Sequence, residues 1–290
     1  MIHTRNCSLI ALLLAVVMLA SLVTGCGRKT DELSSEPESI SEPASLAPAK
    51  PGFANPLEVP NGPSAAPTEL VAHSEKAQEK HELNSDTVGW LAIPGTTIDD
   101  VIVWYPDDFN EFYLRKNFEK RYSWEGIYFA DFRSKWEGGR AGMPTNTVIY
   151  GHSMEDSPDG PLFSQLKKFL SEDFARKNPY IYFSTTDEDM VFEVFAAFYS
   201  DIFTPYNTPY PEAEQYAEIL TKAREGSIYN YEVEVTPADK IITLSTCCYN
   251  ITPTYPNNYR YVLMGKLVDK NAVLKEEAAI TKNTAPVMPK

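Results

Sequence analysis

The sequence predicts a mainly β domain, closed or nearly closed into a barrel, with helices on its surface. Nine short runs rich in β-branched and aromatic residues are bounded by Pro, Gly, Asn and Asp, the pattern of strands and turns. They do not alternate regularly with helical periods, as a parallel α/β sheet would require. The chain of 290 residues, 43% of them hydrophobic, suffices for one sizeable core with extensions.

The elements follow in order. Arg5 and the apolar run from Leu9 to Val23 form an export signal, and that run is shorter than the ~20 residues of a spanning helix. It ends in "LVTGC", which resembles the lipobox of bacterial lipoproteins and implies cleavage before Cys26 and lipid attachment to its thiol. An uncleaved signal anchor is the alternative for residues 1–26. Residues 27–73 are rich in Pro, Ser, Ala and Glu without an apolar period, as in a solvated tether. Ser74 can cap a short helix, "SEKAQEKHELN".

The strand-like runs are 88–94, 100–105, 126–132, 146–152, 180–185, 190–199, 231–236, 240–246 and 259–268. Helical periods fall at 107–118, 161–177 and 211–225. In the last, Tyr216, Ile219, Leu220 and Ala223 share one face and Gly226 is placed to stop the helix. The globular domain is expected over 74–270, with a polar tail at 271–290 that frays.

The net charge of −14 and the lack of clustered Lys and Arg exclude a nucleic-acid binder. No Gly-rich phosphate loop and no paired Cys or His spacing is present, so neither a cofactor nor a metal is expected.

Of four cysteines, Cys247 and Cys248 alone lie in the globular part. Adjacent strand side chains diverge, which argues against a bridge between them and for a reactive thiol. On a strand over 240–246, Thr243, Ser245 and Cys247 share one face, with Cys247 at a reachable strand end and Cys248 pointing elsewhere. A nucleophilic thiol needs a basic neighbour, and His152 alone among four histidines ends an apolar strand. Arg260 starts the strand that can pair with 240–246, which would bring a guanidinium to the same rim.

"TLSTC" (243–247), "YGHSM" (150–154) and the strand-initiating Arg260 resemble the sortases, cysteine transpeptidases of Gram-positive surfaces. "DTVGWLAIPGTTID" (86–99), "NEFYLRKNFEKRYSWEGIYFADFR" (110–133) and the helix of 211–225 are similar to class B members. The resemblance spans about 75–268. It implies an eight-stranded sortase-type barrel with N-terminal and inter-strand helices, on the outer face of the cell membrane. It also implies that Cys247 cleaves a C-terminal sorting motif of secreted surface proteins at the Thr–Xaa bond through a thioacyl enzyme. His152 would serve as acid and base and Arg260 as oxyanion stabiliser, with an amine of peptidoglycan or a pilin as acceptor. By position, Asn110, Leu114 and Ser245 would contribute to the substrate groove.

Three features depart from the family pattern. Cys248 stands where class B members commonly carry a polar or acidic residue, the loop from Cys247 to Arg260 is longer, and "SDIFTPYNTPYP" (200–211) does not align with the substrate-reading loop. The rival reading is a non-catalytic surface lipoprotein that binds sorting-motif peptides or wall polymer. Papain-like wall hydrolases place Cys before His, and the "HGC" core of L,D-transpeptidases is missing, so neither fits.

Overall fold

The computed structural model describes residues 73–106, 109–249, 251 and 258–289. The signal, Cys26 and nearly all of the tether lie outside the described residues. Among the described residues, no helix is long and apolar enough to cross a membrane.

The strands are β1 (Thr87–Ala92), β2 (Asp99–Val103), β3 (Phe129–Ala130), β4 (Asn146–Tyr150), β5 (Tyr180–Ser184), β6 (Asp189–Asp201), β7 (Tyr229–Tyr231), β8 (Ile241–Cys248), β9 (Tyr259–Leu267) and β10 (Ile280–Lys282). Eight of them close a barrel in the order β1-β2-β3-β4-β8-β9-β6-β5. β2 with β3 and β4 with β8 are parallel; the other barrel pairs are antiparallel. Eight of the nine strand-like runs thus enter the barrel. The ninth, 231–236, is strand only at its first residue, and β7 pairs with β10 outside the barrel.

Alternation sorts the side chains of β8. Ile242, Leu244 and Cys248 join the core with Ile149, Phe192, Tyr259 and Leu263, while Ile241 faces outward. Helix α4 (Ala213–Gly226) covers that outer face, placing Tyr216, Ile219, Leu220 and Ala223 against Phe195, Phe198, Ile241, Val262 and Met264. β8 is therefore buried on both sides, which explains its unbroken apolar and small-polar run.

Helix α1 (Ser74–Leu83) forms, but Ser74 is its first residue, not its cap. Asp189, remote in sequence, accepts the backbone N–H groups of His73 (2.8 Å) and Ser74 (2.9 Å) and the Ser74 hydroxyl (3.0 Å). A carboxylate thus serves the orphan donors of the helix start from outside the segment. A one-turn helix α2, Gly139–Gly142, precedes β4.

Two helical expectations are corrected. Described residues of 107–118 form turns and an antiparallel bridge between Lys116 and Tyr122 rather than a helix. Asn110 sits at φ 59° and Lys120 at φ 62°, and the Asn117 side chain accepts the Arg121 N–H at 3.0 Å, local bonding that competes with a helix. The 161–177 period splits at Ser171 into a 3₁₀ helix (Phe163–Leu170) and α3 (Glu172–Lys177), with Ser171 capping the second.

The C-terminal segment does not fray. Ala278 and Ile280 are buried, β10 pairs with β7, and the Ala278 N–H donates to the Arg176 carbonyl at 2.8 Å. Ala278 and Ile280 are the buried residues of the tail and dock it. Ile280→Ala is expected to lower stability by about 2–3 kcal/mol in urea unfolding, the lower part of the range for emptying a buried aliphatic site. An unchanged midpoint would mean that the tail contributes no packing.

Candidate active site

The register of β8 against its neighbours builds the site. Antiparallel pairing sets Cys247 opposite Arg260 and Cys248 opposite Tyr259. Directly opposed residues point to the same face. Cys247 and Arg260 therefore share the outer face, while Cys248 and Tyr259 face the core. On the other side, parallel pairing sets Tyr150 of β4 beside Ser245. Two further bonds extend this register past the strand end: Gly151 N–H to the Ser245 carbonyl (3.3 Å) and the Thr246 hydroxyl to the Gly151 carbonyl (2.7 Å). They fix the chain at the residue before His152. Gly151 is required there by close approach, since a Cβ would stand 2.8 Å from the rings of Phe163 and Tyr128.

Cys247, His152 and Arg260 line one cleft of about 260 Å³, together with Asn110, Leu114, Ser245, Tyr150, Ile202, Tyr206 and Asn207 among others. All six residues singled out by sequence within the globular part thus meet around one cavity. Cys26 lies outside the described residues. Leu114 lines the cleft, and its carbonyl oxygen is 2.8 Å from His152 Nε2. A carbonyl only accepts, so Nε2 carries a proton and Nδ1 holds the lone pair of the neutral ring. Burial lowers the His152 pKa below its ordinary value; the Leu114 carbonyl opposes this, and the nearby Arg115 charge adds to it.

Cys247 is half-buried and free, and it lies within hydrogen-bond reach of the Tyr249 hydroxyl, whose pKa burial and then Cys247 raise. Cys248 is 1% exposed and its thiol is pushed up to about 12 by burial. The two neighbours therefore differ in access by the alternation of a single strand. A thiol, an imidazole and a guanidinium around one cavity can form and break an acyl bond: the thiol attacks, the ring moves a proton, and the cation stabilises a developing oxyanion.

Sequence reasoning did not nominate Ile202, Tyr206 and Asn207, which form one wall. They lie in the 200–211 segment that fails to align with the family's substrate-reading loop. Its signal was the unusual density of Tyr and Asn in a loop without period. The Tyr206 and Ser245 hydroxyls are 2.9 Å apart, so the misaligned loop bonds directly to β8. Tyr150 and Asp131 also escaped notice, since each sits inside a run explained by its strand pattern. Among the described residues, no group of three or more His, Cys, Asp or Glu is placed to hold a metal ion.

Two measurements check this geometry. Iodoacetamide at pH 8 should alkylate Cys247 and spare Cys248 in the folded chain, read by peptide mass; equal labelling would contradict the burial of Cys248. By NMR, His152 should titrate below 6.5. The unfolded chain then binds this proton at higher pH than the folded one. Its stabilising contribution is complete above ~6.5 and is lost as pH falls through the folded value. A midpoint at or above 6.5 would refute the burial argument.

The family model "Sortase domain" matches residues 91–268. Sortase B of Listeria monocytogenes is 34% identical over 197 residues, covering 68% of this chain and 75% of that protein. Sortase B of Staphylococcus aureus is 29% identical over 183 residues, covering 61% and 71%. Among solved structures, a Staphylococcus aureus sortase B–substrate complex superposes with a TM-score of 0.58 at 26% identity, covering 68% of this chain and 87% of that one. A sortase B complexed with triglycine gives 0.57 at 26%, covering 69% and 88%. With the closed barrel and its matching class B neighbours, these likenesses establish that the chain belongs to the sortase family as a class B sortase, a cysteine transpeptidase.

Proposed function

We propose that this sortase cleaves a C-terminal sorting motif of secreted surface proteins at the Thr–Xaa bond, with Cys247 as nucleophile. The thiol gives its proton to His152 as its sulfur attacks the threonine carbonyl; the C–S bond forms, the C–N bond breaks, and the leaving amine takes that proton from His152. An incoming amine then gives up a proton to His152 and attacks the thioester; the new C–N bond forms, the C–S bond breaks, and the departing sulfur takes that proton back from His152 as the thiol. With Nε2 held on the Leu114 carbonyl, Nδ1 is the nitrogen that exchanges these protons. Arg260 stabilises the oxyanion of both tetrahedral steps. Asn110, Leu114 and Ser245 contact the motif.

The observation that carries this reading is the cross-strand pairing of Cys247 with Arg260 at a cleft that His152 also lines. The acceptor class, an amine of peptidoglycan or of a pilin, is supported by the relative bound to triglycine. Residues 1–26 would anchor the chain at the outer face of the membrane, through a lipid on Cys26 or an uncleaved helix, and 27–73 would hold the catalytic domain away from it.

Intact mass after incubation with a mixed library of sorting-motif peptides, without added amine, tests the scheme. A thioacyl adduct should form on the parent and on Cys248→Ala and be absent from Cys247→Ala. Arg260→Gln should slow its formation by about 10²-fold, the usual loss when one oxyanion donor is removed. An adduct lost only in Cys248→Ala would overturn the nucleophile. The absence of any adduct in the parent would favour a sortase fold that binds motifs without turnover.

A further inference from the structure

One fully buried carboxylate beneath the cleft has no part in the acyl-transfer scheme. Asp131 follows β3, is 0% exposed, and does not itself line the cavity. Its Oδ2 accepts from Asn110 Nδ2 at 3.2 Å, from the Tyr150 hydroxyl at 2.8 Å and from Arg133 Nη2 at 2.8 Å. Its Oδ1 accepts from Arg133 Nε at 2.8 Å and from the Arg133 backbone N–H at 3.0 Å. Arg133 continues the chain of bonds, donating from Nη2 to the Asn207 carbonyl at 2.6 Å. Asn207 Nδ2 closes the loop by donating to the Tyr150 hydroxyl at 2.9 Å.

The three residues joined in this way are all cleft residues, and they come from different parts of the cavity. Asn110 belongs to the 110–126 segment on one side, Tyr150 ends β4 in the floor, and Asn207 belongs to the 200–211 loop on the other side. Asn110 is held on both ends of its amide, since its Oδ1 also accepts the Phe132 N–H at 2.6 Å, and it holds a φ of 59°. We propose that Asp131, braced by Arg133, is a positioning residue that sets the distance between the two walls of the cleft and so the fit of the peptide substrate. This rests on the substrate reading given above, but not on which cysteine attacks.

The energetic argument favours an active arrangement over incidental packing. A buried carboxylate costs several kcal/mol unless it is paired and hydrogen-bonded, and five donor contacts satisfy this one. Burial works to raise the Asp131 pKa, but the hydrogen bonds and charge of Arg133, with the Tyr150 hydroxyl, hold it below the usual carboxylate range. At neutral pH the group is therefore an acceptor only, and each donor around it is held in one orientation. Neither wall loop has a helix or strand of its own at these residues to supply that order.

The test uses the full chain and the peptide that the parent selects from the motif library. Asp131→Asn keeps the shape but removes the charge and presents a donor to the Asn110 amide. It should raise KM about tenfold or more while kcat stays within about threefold, the signature of lost substrate positioning. Arg133→Lys, which keeps the charge but loses the two-pronged fork, should give a smaller rise. The rate at which iodoacetamide alkylates Cys247 should be unchanged in both, because the nucleophile is not touched. An unchanged KM, or a fall in kcat and alkylation with KM unmoved, would overturn the proposal. So would losses that match the unfolded fraction measured by thermal melting. Should the parent show no turnover, binding of the motif library itself to Cys247→Ala with and without Asp131→Asn decides. No binding by either form refutes the substrate reading and the proposal resting on it, whereas equal binding refutes the positioning role alone.

Discussion

The pairing register of β8 is the constraint on which the site depends. This strand lies between a parallel neighbour, β4, and an antiparallel one, β9, and both must agree with it at once. The side-chain period of a strand is two, so a slip by one residue would exchange Cys247 with Cys248, burying the accessible thiol and exposing the other. The same slip would uncouple Tyr150 and Gly151 from Ser245 and Thr246, and with them the position of His152. Burial of β8 on both faces, by the barrel interior and by α4, makes such a slip expensive in exposed apolar area. The core thus specifies the chemistry without any of its residues taking part.

Around that fixed strand end, the polar groups of the cleft are satisfied by loops. His152 borrows the Leu114 carbonyl from the 110–126 segment, and Ser245 meets Tyr206 from the 200–211 loop. Buried Lys167 performs a similar service behind His152: it donates to the Ser153 hydroxyl at 2.8 Å and pairs with Asp156 at 2.6 Å, holding the residues that follow the histidine. A lysine so placed carries its charge into a nearly closed site, and the partial exposure of Asp156 leaves the pair in contact with water. The thiol of Cys248 sits near this lysine, yet burial dominates and keeps it protonated. Two adjacent thiols can therefore coexist without competing for the same substrate.

The legibility of these features in the sequence followed their dependence on periodicity. Cys247, His152 and Arg260 each lie at or just past the end of a patterned strand, so alternation and turn signals nominated them, and the resemblance to the sortases assigned their roles. Helix α4 was legible for the same reason, its apolar face being complete at Tyr216, Ile219, Leu220 and Ala223. The 107–118 segment misled because Phe112, Tyr113 and Phe118 carry an apolar period that tertiary contacts use in a non-helical form; Tyr113 is buried through bonds to Asn84 and Asp86. The tail misled in the opposite sense, since two buried residues hardly alter its polar average. The bonds that join Asp131, Arg133, Tyr150 and Asn207 left no trace, because a hydrogen-bond network among distant segments has no period to detect.

This division has a consequence for how such an enzyme can differ from its relatives. Groups that take part in the acyl transfer are attached to barrel strands or just past their ends, where packing from two sides resists displacement. Groups that line the walls are attached to turns whose order comes from side-chain bonds, and turn segments tolerate changes of length and composition far better than strands. A chain can then replace residues 202–211 of the segment that fails to align, and retain the barrel and the pairing of Cys247 with Arg260. What such a replacement must preserve is a partner for the polar atoms that the old loop met: the buried Ser245 hydroxyl above all, then the half-buried Tyr150 hydroxyl and the exposed fork of Arg133. Leaving the Ser245 hydroxyl unmet would cost about 1–3 kcal/mol. Hydrogen-bond satisfaction beneath the cleft therefore limits which loops the scaffold accepts, and so which peptides it can be altered to read.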